Sequence, residues 1–164
     1  MFTVKKQRVT LDEGQVGLIS DTHGLLRPEA LAALKGSEVI IHAGDIGKPE
    51  VLTSLTSLAP VMAIRGNNDR GSWAQKIPDI LHLEVNGAWL FIIHNVNDLE
   101  VDAAAEGFNA VISGHSHKPG ITKQDGMMFL NPGSAGPRRF RLPIALARLR
   151  IRGGKVNGKI IELL

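Results

Sequence analysis

The stretch Val16-Gly17-Leu18-Ile19-Ser20-Asp21-Thr22-His23-Gly24 contains the pattern that decides the fold. Its first half is an apolar run of strand length and its second half is polar and ends in glycine. We therefore expect a buried strand that runs directly into a loop. The same pattern returns at residues 39–43, followed by Gly44-Asp45, and at residues 61–64, followed by Gly66-Asn67-Asn68-Asp69. Three buried strands with polar loops at their carboxyl ends are predicted.

Two helices are expected between these strands. Pro28 suits the first turn of a helix, and residues 29–35 carry Ala and Leu at helical spacing before Gly36 ends the helix. Pro49 opens a second helix, which we expect to run to Leu58. The order strand, helix, strand, helix, strand favours parallel pairing with right-handed crossovers.

The second half of the chain is dominated by hairpin signals. Asn86-Gly87 lies between two apolar runs, and further turns are expected at Asp125-Gly126 and Gly153-Gly154. Residues 98–106 predict a short Ala-rich helix, and residues 110–113 predict a strand that enters a His-rich loop. Together the two halves predict an α/β fold of mixed sheets with helices outside.

Length and composition limit the class of protein. A chain of 164 residues suits one domain spanning residues 1–164, with residues 1–14 as a peripheral edge strand or a loose arm. The absence of cysteine excludes thiolate nucleophiles and thiolate metal sites. The net charge of +3 is far from the clustered basicity of nucleic-acid-binding proteins. No apolar run approaches the roughly 20 residues of a membrane helix and no signal peptide is recognisable, so we expect a cytoplasmic protein.

Metal-ligating side chains follow directly after the apolar strands. In open α/β sheets, ligands bind beyond the carboxyl ends of the strands, so these side chains are expected to converge. Asp and Asn oxygens combined with neutral imidazoles suit Mn, Fe, Ni, Co or Zn. Their number exceeds the needs of one metal, and a pair of metals about 3.5–4 Å apart would activate a hydroxide and polarise a phosphoryl oxygen. The candidate ligands are Asp21, His23, Asp45, Asn67, His94, His115 and His117.

These residues resemble the motifs of the calcineurin-like metallophosphoesterase family. Five motifs occur in the family's order: Asp21-Thr22-His23, Gly44-Asp45, Gly66-Asn67-Asn68-Asp69, His94 and Gly114-His115-Ser116-His117. The resemblance spans residues 16–152, and the Asn131-Pro132-Gly133-Ser134 segment is similar to the small single-domain phosphodiesterase branch. It implies an αββα sandwich of two mixed β-sheets flanked by helices, with the metal site at their edge.

The resemblance also implies roles for single residues. Asp45 would bridge two metals, and Asp69 would orient a ligand imidazole or the neighbouring loop. The better-known protein phosphatases of the family have a His where this chain has Asn68, which cannot donate a proton and so favours substrates with good leaving groups. The remaining ligands would divide between the metals: Asp21, His23 and His117 at one, and Asn67, His94 and His115 at the other.

The resulting hypothesis is a metal-dependent hydrolase that cleaves phosphodiester bonds by attack of a metal-bridging hydroxide on phosphorus. A phosphomonoesterase using the same site, or a non-catalytic protein-binding scaffold of the same fold, stays open as an alternative. The expected cofactors are two divalent metal ions, manganese first, with nickel, iron, cobalt or zinc as alternatives. The expected partner is a small phosphoester, with no membrane and no nucleic acid, and exposed hairpin edges would allow a homo-oligomer.

Five further residues are weighed and kept out of the predicted site. His42 and His82 lie inside strands and outside every motif, so both are expected to be structural. Arg138, Arg139 and Arg141 could anchor a substrate phosphate, but a solvated loop is the favoured interpretation for at least two of them.

Overall fold

The computed structural model describes residues 1–164 and contains two mixed β-sheets. Eleven strands form these sheets and are numbered in chain order. They are β1 (Val4–Val9), β2 (Gln15–Ile19), β3 (Val39–His42), β4 (Val61–Ala63), β5 (Ile80–Val85), β6 (Ala88–Ile93), β7 (Ala110–Ile112), β8 (Gly120–Gln124), β9 (Met127–Asn131), β10 (Ala145–Arg152) and β11 (Lys155–Glu162).

The five-stranded sheet has the order β11-β10-β2-β3-β4. Its strands β2, β3 and β4 are parallel, as the alternation of strands and helices predicts. The long hairpin of β10 and β11 joins this group antiparallel to β2. Every residue of β3 is buried, which explains why its sequence is a continuous apolar run apart from His42.

The six-stranded sheet has the order β1-β5-β6-β7-β9-β8. The predicted hairpins are confirmed, since β5 and β6, β8 and β9, and β10 and β11 are antiparallel pairs. Both central residues of each turn have positive φ, as the tight two-residue turns between twisted strands require. The N-terminal segment forms an edge strand rather than a loose arm, because β1 pairs parallel to β5.

Three short helices pack on the outer face of the five-stranded sheet: α1 (Pro28–Leu34), α2 (Pro49–Thr56) and α3 (Ser72–Gln75). Pro28 and Pro49 occupy the first turns of α1 and α2, as predicted. Helix α2 ends two residues before the predicted Leu58. Near its end the Thr56 and Ser57 hydroxyls donate to backbone carbonyls and compete with continued helical bonding. None of these helices is long and apolar enough to cross a membrane.

The helix predicted at residues 98–106 is wrong. The chain forms a 3₁₀ turn at Val96–Asp98 and then irregular turns. Asp102 accepts a hydrogen bond from the Ala105 backbone N–H, and Gly107, with φ of +91°, ends the segment. The pattern of Ala residues reflects packing on the sheet, because Ala103 is buried with Phe91 and Val111 on its outer face.

The main core lies between the two sheets and contains 20 buried apolar side chains. A second cluster lies under the three helices, and a third lies under the irregular segment on the other side. The predicted sandwich of two mixed sheets is therefore confirmed, with the difference that α-helices flank only the five-stranded sheet. The open edge between the sheets is where strands β2, β3, β4, β6 and β7 all end.

Candidate metal centre

Backbone hydrogen bonds join four of the loops that follow these five strands in two pairs. The N–H of Asp21 donates to the Gly44 carbonyl at 3.0 Å, and the N–H of His23 donates to the Asp45 carbonyl at 3.0 Å. In the other sheet, the N–H of Gly114 donates to the His94 carbonyl at 2.9 Å. Each pair is thus held together independently of any metal, and the five loops carry all seven predicted ligands.

Five of the seven predicted ligands have a left-handed backbone conformation. Positive φ is uncommon for residues other than glycine and costs free energy, so it persists only where the surrounding structure enforces it. Such residues concentrate at functional sites, and here they lie in the loops after β2, β3 and β7, but not in those after β4 and β6. The residues and angles are Asp21 (54°), His23 (46°), Asp45 (55°), His115 (70°) and His117 (63°).

Carboxylates and imidazoles converge around Asp21. Its Oδ1 atom lies 3.3 Å from His117 Nε2 and 3.8 Å from both His23 Nε2 and His94 Nε2. The Oδ2 atom of Asp45 lies 3.3 Å from His94 Nε2 and 3.7 Å from His23 Nε2. Asp45 therefore lies between residues predicted for the two different metals, and Asp21 does so as well.

Two atoms at the middle of this cluster lack any hydrogen-bond partner. They are Asp21 Oδ1 and His94 Nε2, both buried. Buried polar atoms are almost always paired, so an unpaired acceptor facing an unpaired imidazole nitrogen needs an explanation. A divalent cation satisfies both, and oxygen and imidazole donors suit such a cation. The residues present therefore fit a metal.

The ionisation of the two carboxylates favours cation binding. Nδ1 of His94 donates to the Ala43 carbonyl at 2.7 Å, which leaves Nε2 facing the carboxylates. Burial alone would raise the pKa of Asp45, but the nearby His94 imidazole and two hydrogen bonds from Asn68 hold that pKa well below its usual range. Burial also opposes ionisation of Asp21, yet His117, His94 and Ser20 lower its pKa. Both carboxylates are anionic at neutral pH.

His94 responds to the same two carboxylates. Burial alone would lower its pKa, but the nearby Asp45 and Asp21 carboxylates and the hydrogen bond to the Ala43 carbonyl outweigh burial and raise it. A raised pKa means that protons compete with a metal for this imidazole, so metal binding is expected to weaken as the pH falls.

The other predicted ligands line a polar cavity of about 210 Å³ at the open edge. Asn67, His94 and His115 face it together, which brings the three residues predicted for the second metal to one place. Asn67 is exposed and His115 is half-buried, and the His115 ring meets the His94 ring edge-on at 5.3 Å between centroids. A substrate would reach the cluster from this side.

Asn68 and Asp69 both support the loop that carries Asp45. The backbone N–H and side-chain amide of Asn68 donate to the two oxygens of Asp45, each at 3.0 Å. The buried Asp69 carboxylate accepts from the backbone N–H groups of Ile46 (3.1 Å), Gly47 (2.9 Å) and Gly66 (2.9 Å). Of the two predicted roles of Asp69, these bonds favour the orientation of the loop over that of an imidazole.

Sequence reasoning missed a buried hydrogen-bond chain beneath the cluster. Nδ1 of His42 accepts from the Gly44 N–H at 3.1 Å, so its Nε2 donates to Thr22 Oγ1 at 3.0 Å. Thr22 in turn donates to the Ile46 carbonyl at 2.8 Å. Complete burial lowers the pKa of His42 to about 4, so the ring is neutral. His42 is structural, as predicted, and a polar residue in an otherwise apolar strand next to Gly44-Asp45 was the available signal.

Two glycines are required by close approach to the carboxylates. A Cβ atom at Gly66 would lie 2.1 Å from Asp45 Oδ1, and one at Gly114 would lie 2.5 Å from Asp21 Oδ2. No side chain can be added at either position without displacing a predicted ligand. Steric crowding by the two carboxylates therefore explains why residues 66 and 114 are glycines.

The Asn131-Pro132-Gly133-Ser134 segment buttresses two ligand loops. Asn131 donates to the Gly114 carbonyl and to Ser116 Oγ, both at 3.0 Å. Ser134 donates to the carbonyl of Asp21 at 2.9 Å. The segment therefore supports the site without contributing a ligand.

The remaining candidates lie apart from the cluster. His82 packs between Phe91 and Phe108 on the outer face of the six-stranded sheet. Arg138, Arg139 and Arg141 are exposed in one loop, where Arg138 donates to the carbonyls of Leu142 and Leu164. None of the three arginines lines the polar cavity.

A cluster of carboxylates and imidazoles at the open edge of a two-sheet sandwich is the arrangement of a metallophosphoesterase. Residues 15–154 match the profile of the calcineurin-like phosphoesterase superfamily domain. The chain belongs to this superfamily, and the sequence-based expectation of a phosphoesterase enzyme is confirmed at the level of the family.

Relatives and solved structures agree with this assignment. A probable metallophosphoesterase of Methanothermobacter thermautotrophicus is 36% identical over 159 residues, covering 90% of this chain and 91% of that protein. An archaeal phosphodiesterase structure has a TM-score of 0.75 at 24% identity and covers 90% of this chain and 99% of that one. Zinc-bound Vps29 from Entamoeba histolytica has a TM-score of 0.69 at 18% identity, covering 92% and 99%. The two structural likenesses show the fold.

Proposed function

We propose that the chain is a metal-dependent phosphodiesterase with two divalent metal ions, manganese first among them. The observation that carries the proposal is the facing pair of unpaired buried atoms, Asp21 Oδ1 and His94 Nε2, inside a cluster of ionised carboxylates and imidazoles. A phosphodiesterase of Methanocaldococcus jannaschii, 28% identical over 138 residues that cover 73% of this chain and 82% of that protein, supports the reaction class.

The proposed ligands divide as the family motifs imply. Asp45 would bridge the metals, with three of the other residues at each ion: Asp21, His23 and His117 at one, and Asn67, His94 and His115 at the other. When bound, such a pair supplies an activated water as nucleophile and neutralises charge on the phosphoryl oxygens. The loop contacts support this division, because Asp45 Oδ2 lies within 4 Å of both His23 and His94.

The protein's own residues position these groups. Asn68 donates hydrogen bonds to both oxygens of Asp45 but is not an acid, so help for the leaving group would come from a metal, a water or a hydrogen bond. His94 keeps Nε2 directed at the carboxylates through its bond to Ala43. These bonds support a preformed ligand geometry, and the lack of an acid at Asn68 favours esters of acidic alcohols, which are good leaving groups.

The charge around the polar cavity supports diesters over monoesters. Arg65 is the only basic side chain that lines the cavity apart from the imidazoles, and it is already paired with Asp79 through bonds of 3.3 and 3.1 Å. A monoester dianion would therefore meet no free guanidinium, whereas a diester carries a single negative charge. The M. jannaschii relative is named a phosphodiesterase, in line with this preference.

The test compares bis(p-nitrophenyl) phosphate with p-nitrophenyl phosphate as substrates, with manganese added or removed by a chelator. We expect turnover of the diester only with metal, and loss of turnover and of metal binding in Asp45→Ala. Asp12→Ala, which removes an exposed carboxylate elsewhere, is the matched control and should keep both. Metal binding without turnover of any phosphoester would refute the proposal and favour the scaffold alternative.

The proposal includes a small phosphoester substrate and a cytoplasmic location. The homo-oligomer and the single domain of residues 1–164 stay predictions. Size-exclusion chromatography with light scattering tests the first, and limited proteolysis tests the second.

A further inference from the structure

An apolar groove adjoins the polar cavity of the metal centre. The groove has a volume of about 520 Å³, which falls within the roughly 300–1,000 Å³ typical of small-molecule sites. It is lined mainly by apolar side chains, among them Val4, Ile80 and Phe91. Phe2 and Ile93 line both the groove and the polar cavity, as does Asp98. The two spaces are therefore neighbours with these three residues in common, and Phe2 lies where they adjoin.

The position of Phe2 is fixed by the residue that follows it. The backbone N–H and the hydroxyl of Thr3 donate to Asp79 Oδ2 at 2.8 and 3.1 Å, and the Thr3 carbonyl accepts from the N–H groups of Asp79 and Ile80. The same carboxylate binds Arg65, which lines the metal-centre cavity. Thr3, the residue next to Phe2, is therefore hydrogen-bonded to Asp79, which lines the metal-centre cavity with Arg65.

The groove is unusually apolar for an exposed surface. Phe2 is 50% exposed, Val4 54% and Val101 43%, and Met1 is fully exposed. These four make up half of the eight large apolar side chains that the chain exposes, and all of them line this groove. Exposed apolar patches of this kind mark binding sites for ligands or partners.

The charges around the groove indicate what it would bind. Asp98 and Glu100 line it together with the N-terminal Met1 and with His82, whose pKa is lowered by burial, and no lysine or arginine does. A second phosphate or another anionic group would be repelled there, whereas a neutral aromatic ring would pack on Phe2 and Phe91. Because the groove adjoins the cavity of the metal centre and shares three lining residues with it, a group bound in the groove would lie next to a phosphate held at that centre.

We propose that Phe2 and the apolar groove bind a neutral aromatic ester group of the phosphodiester, which makes Phe2 a specificity-determining residue. This inference rests on the proposed function, since it assumes that the phosphate is held at the metal centre. It names the substrate class as phosphodiesters with at least one aromatic substituent.

The experiment measures binding, so that its result does not depend on turnover. Diphenyl phosphate and dimethyl phosphate are titrated calorimetrically into the manganese-loaded full chain. We expect diphenyl phosphate to bind about tenfold more tightly, because one ring buries apolar surface in the groove. Phe2→Ala should remove this preference and leave the affinity for dimethyl phosphate unchanged, and Phe2→Trp should keep the preference.

Phe140→Ala is the matched control, because Phe140 is an exposed phenylalanine that lines neither space. It should bind both diesters as the unsubstituted protein does. A preference that survives Phe2→Ala would overturn the inference. So would an equal weakening of both diesters, since that would mean that Phe2 acts through the metal centre. Turnover of bis(p-nitrophenyl) phosphate, measured in parallel, decides the proposed function separately.

Discussion

Removal of the Asp69 carboxylate tests whether the site depends on the backbone hydrogen bonds that this carboxylate accepts. Asp69 accepts three backbone N–H bonds, of which the one from the fully buried Ile46 cannot be replaced by water. Loss of that charged acceptor should cost about 1.5–3 kcal/mol, and loss of the bonds from Gly47 and Gly66 about 0.5–1 kcal/mol each. Asp69→Ala is therefore expected to lower the free energy of unfolding by about 2.5–5 kcal/mol.

Asp69→Asn should cost about half as much, because its oxygen can keep two of the bonds without the charge while its NH₂ group faces the Gly47 N–H. For a chain of this size the Asp69→Ala loss corresponds to a fall in Tm of about 10 °C. Differential scanning calorimetry measures the Tm and titration with manganese measures the affinity, which should fall about 10- to 100-fold as the Asp45 loop loosens. Equal Tm values for Asp69→Ala and the exposed control Asp12→Ala would show that the hydrogen bonds to Asp69 do not stabilise the protein, and would refute the prediction.

Three further predictions concern pH, sterics and metal. The unfolded chain protonates His42 near pH 6.5 and the folded chain only near 4, so stability should fall by up to about 3 kcal/mol as the pH drops across that window. Urea unfolding at pH 7 and pH 4.5 should show this loss and His42→Gln should reduce it; an equal loss in both proteins would contradict it. Gly66→Ala should bind manganese at least about tenfold more weakly while its circular dichroism is retained, because its Cβ displaces Asp45 Oδ1. An unchanged manganese affinity would show that the Asp45 loop can move to make room for the Cβ atom, and would contradict the prediction. Removal of metal by a chelator should lower the Tm of the unsubstituted protein by about 8 °C relative to metal at 100 times its Kd, and Asp45→Ala should show no such difference.

Much of the fold could be predicted from local sequence patterns. The apolar runs that became β2, β3 and β4 are decided by residues close in sequence, and so are the turns at Asn86-Gly87 and Asp125-Gly126. Residues 98–106 show the limit of local reasoning. Their Ala residues fit a helix, but packing against the sheet and the Asp102 side chain hold the segment in irregular turns.

The sequence alone determined which donors are present and that each follows a strand, because motif order and residue type are local properties. Only the tertiary structure decided what surrounds them. The three backbone partners of Asp69 come from two different loops, and His42 bonds to Thr22 across neighbouring strands. Phe2 meets the metal-centre cavity only because β1 pairs with β5, more than 70 residues away in the chain. Such contacts follow from strand pairing over long sequence separations, which no local pattern encodes.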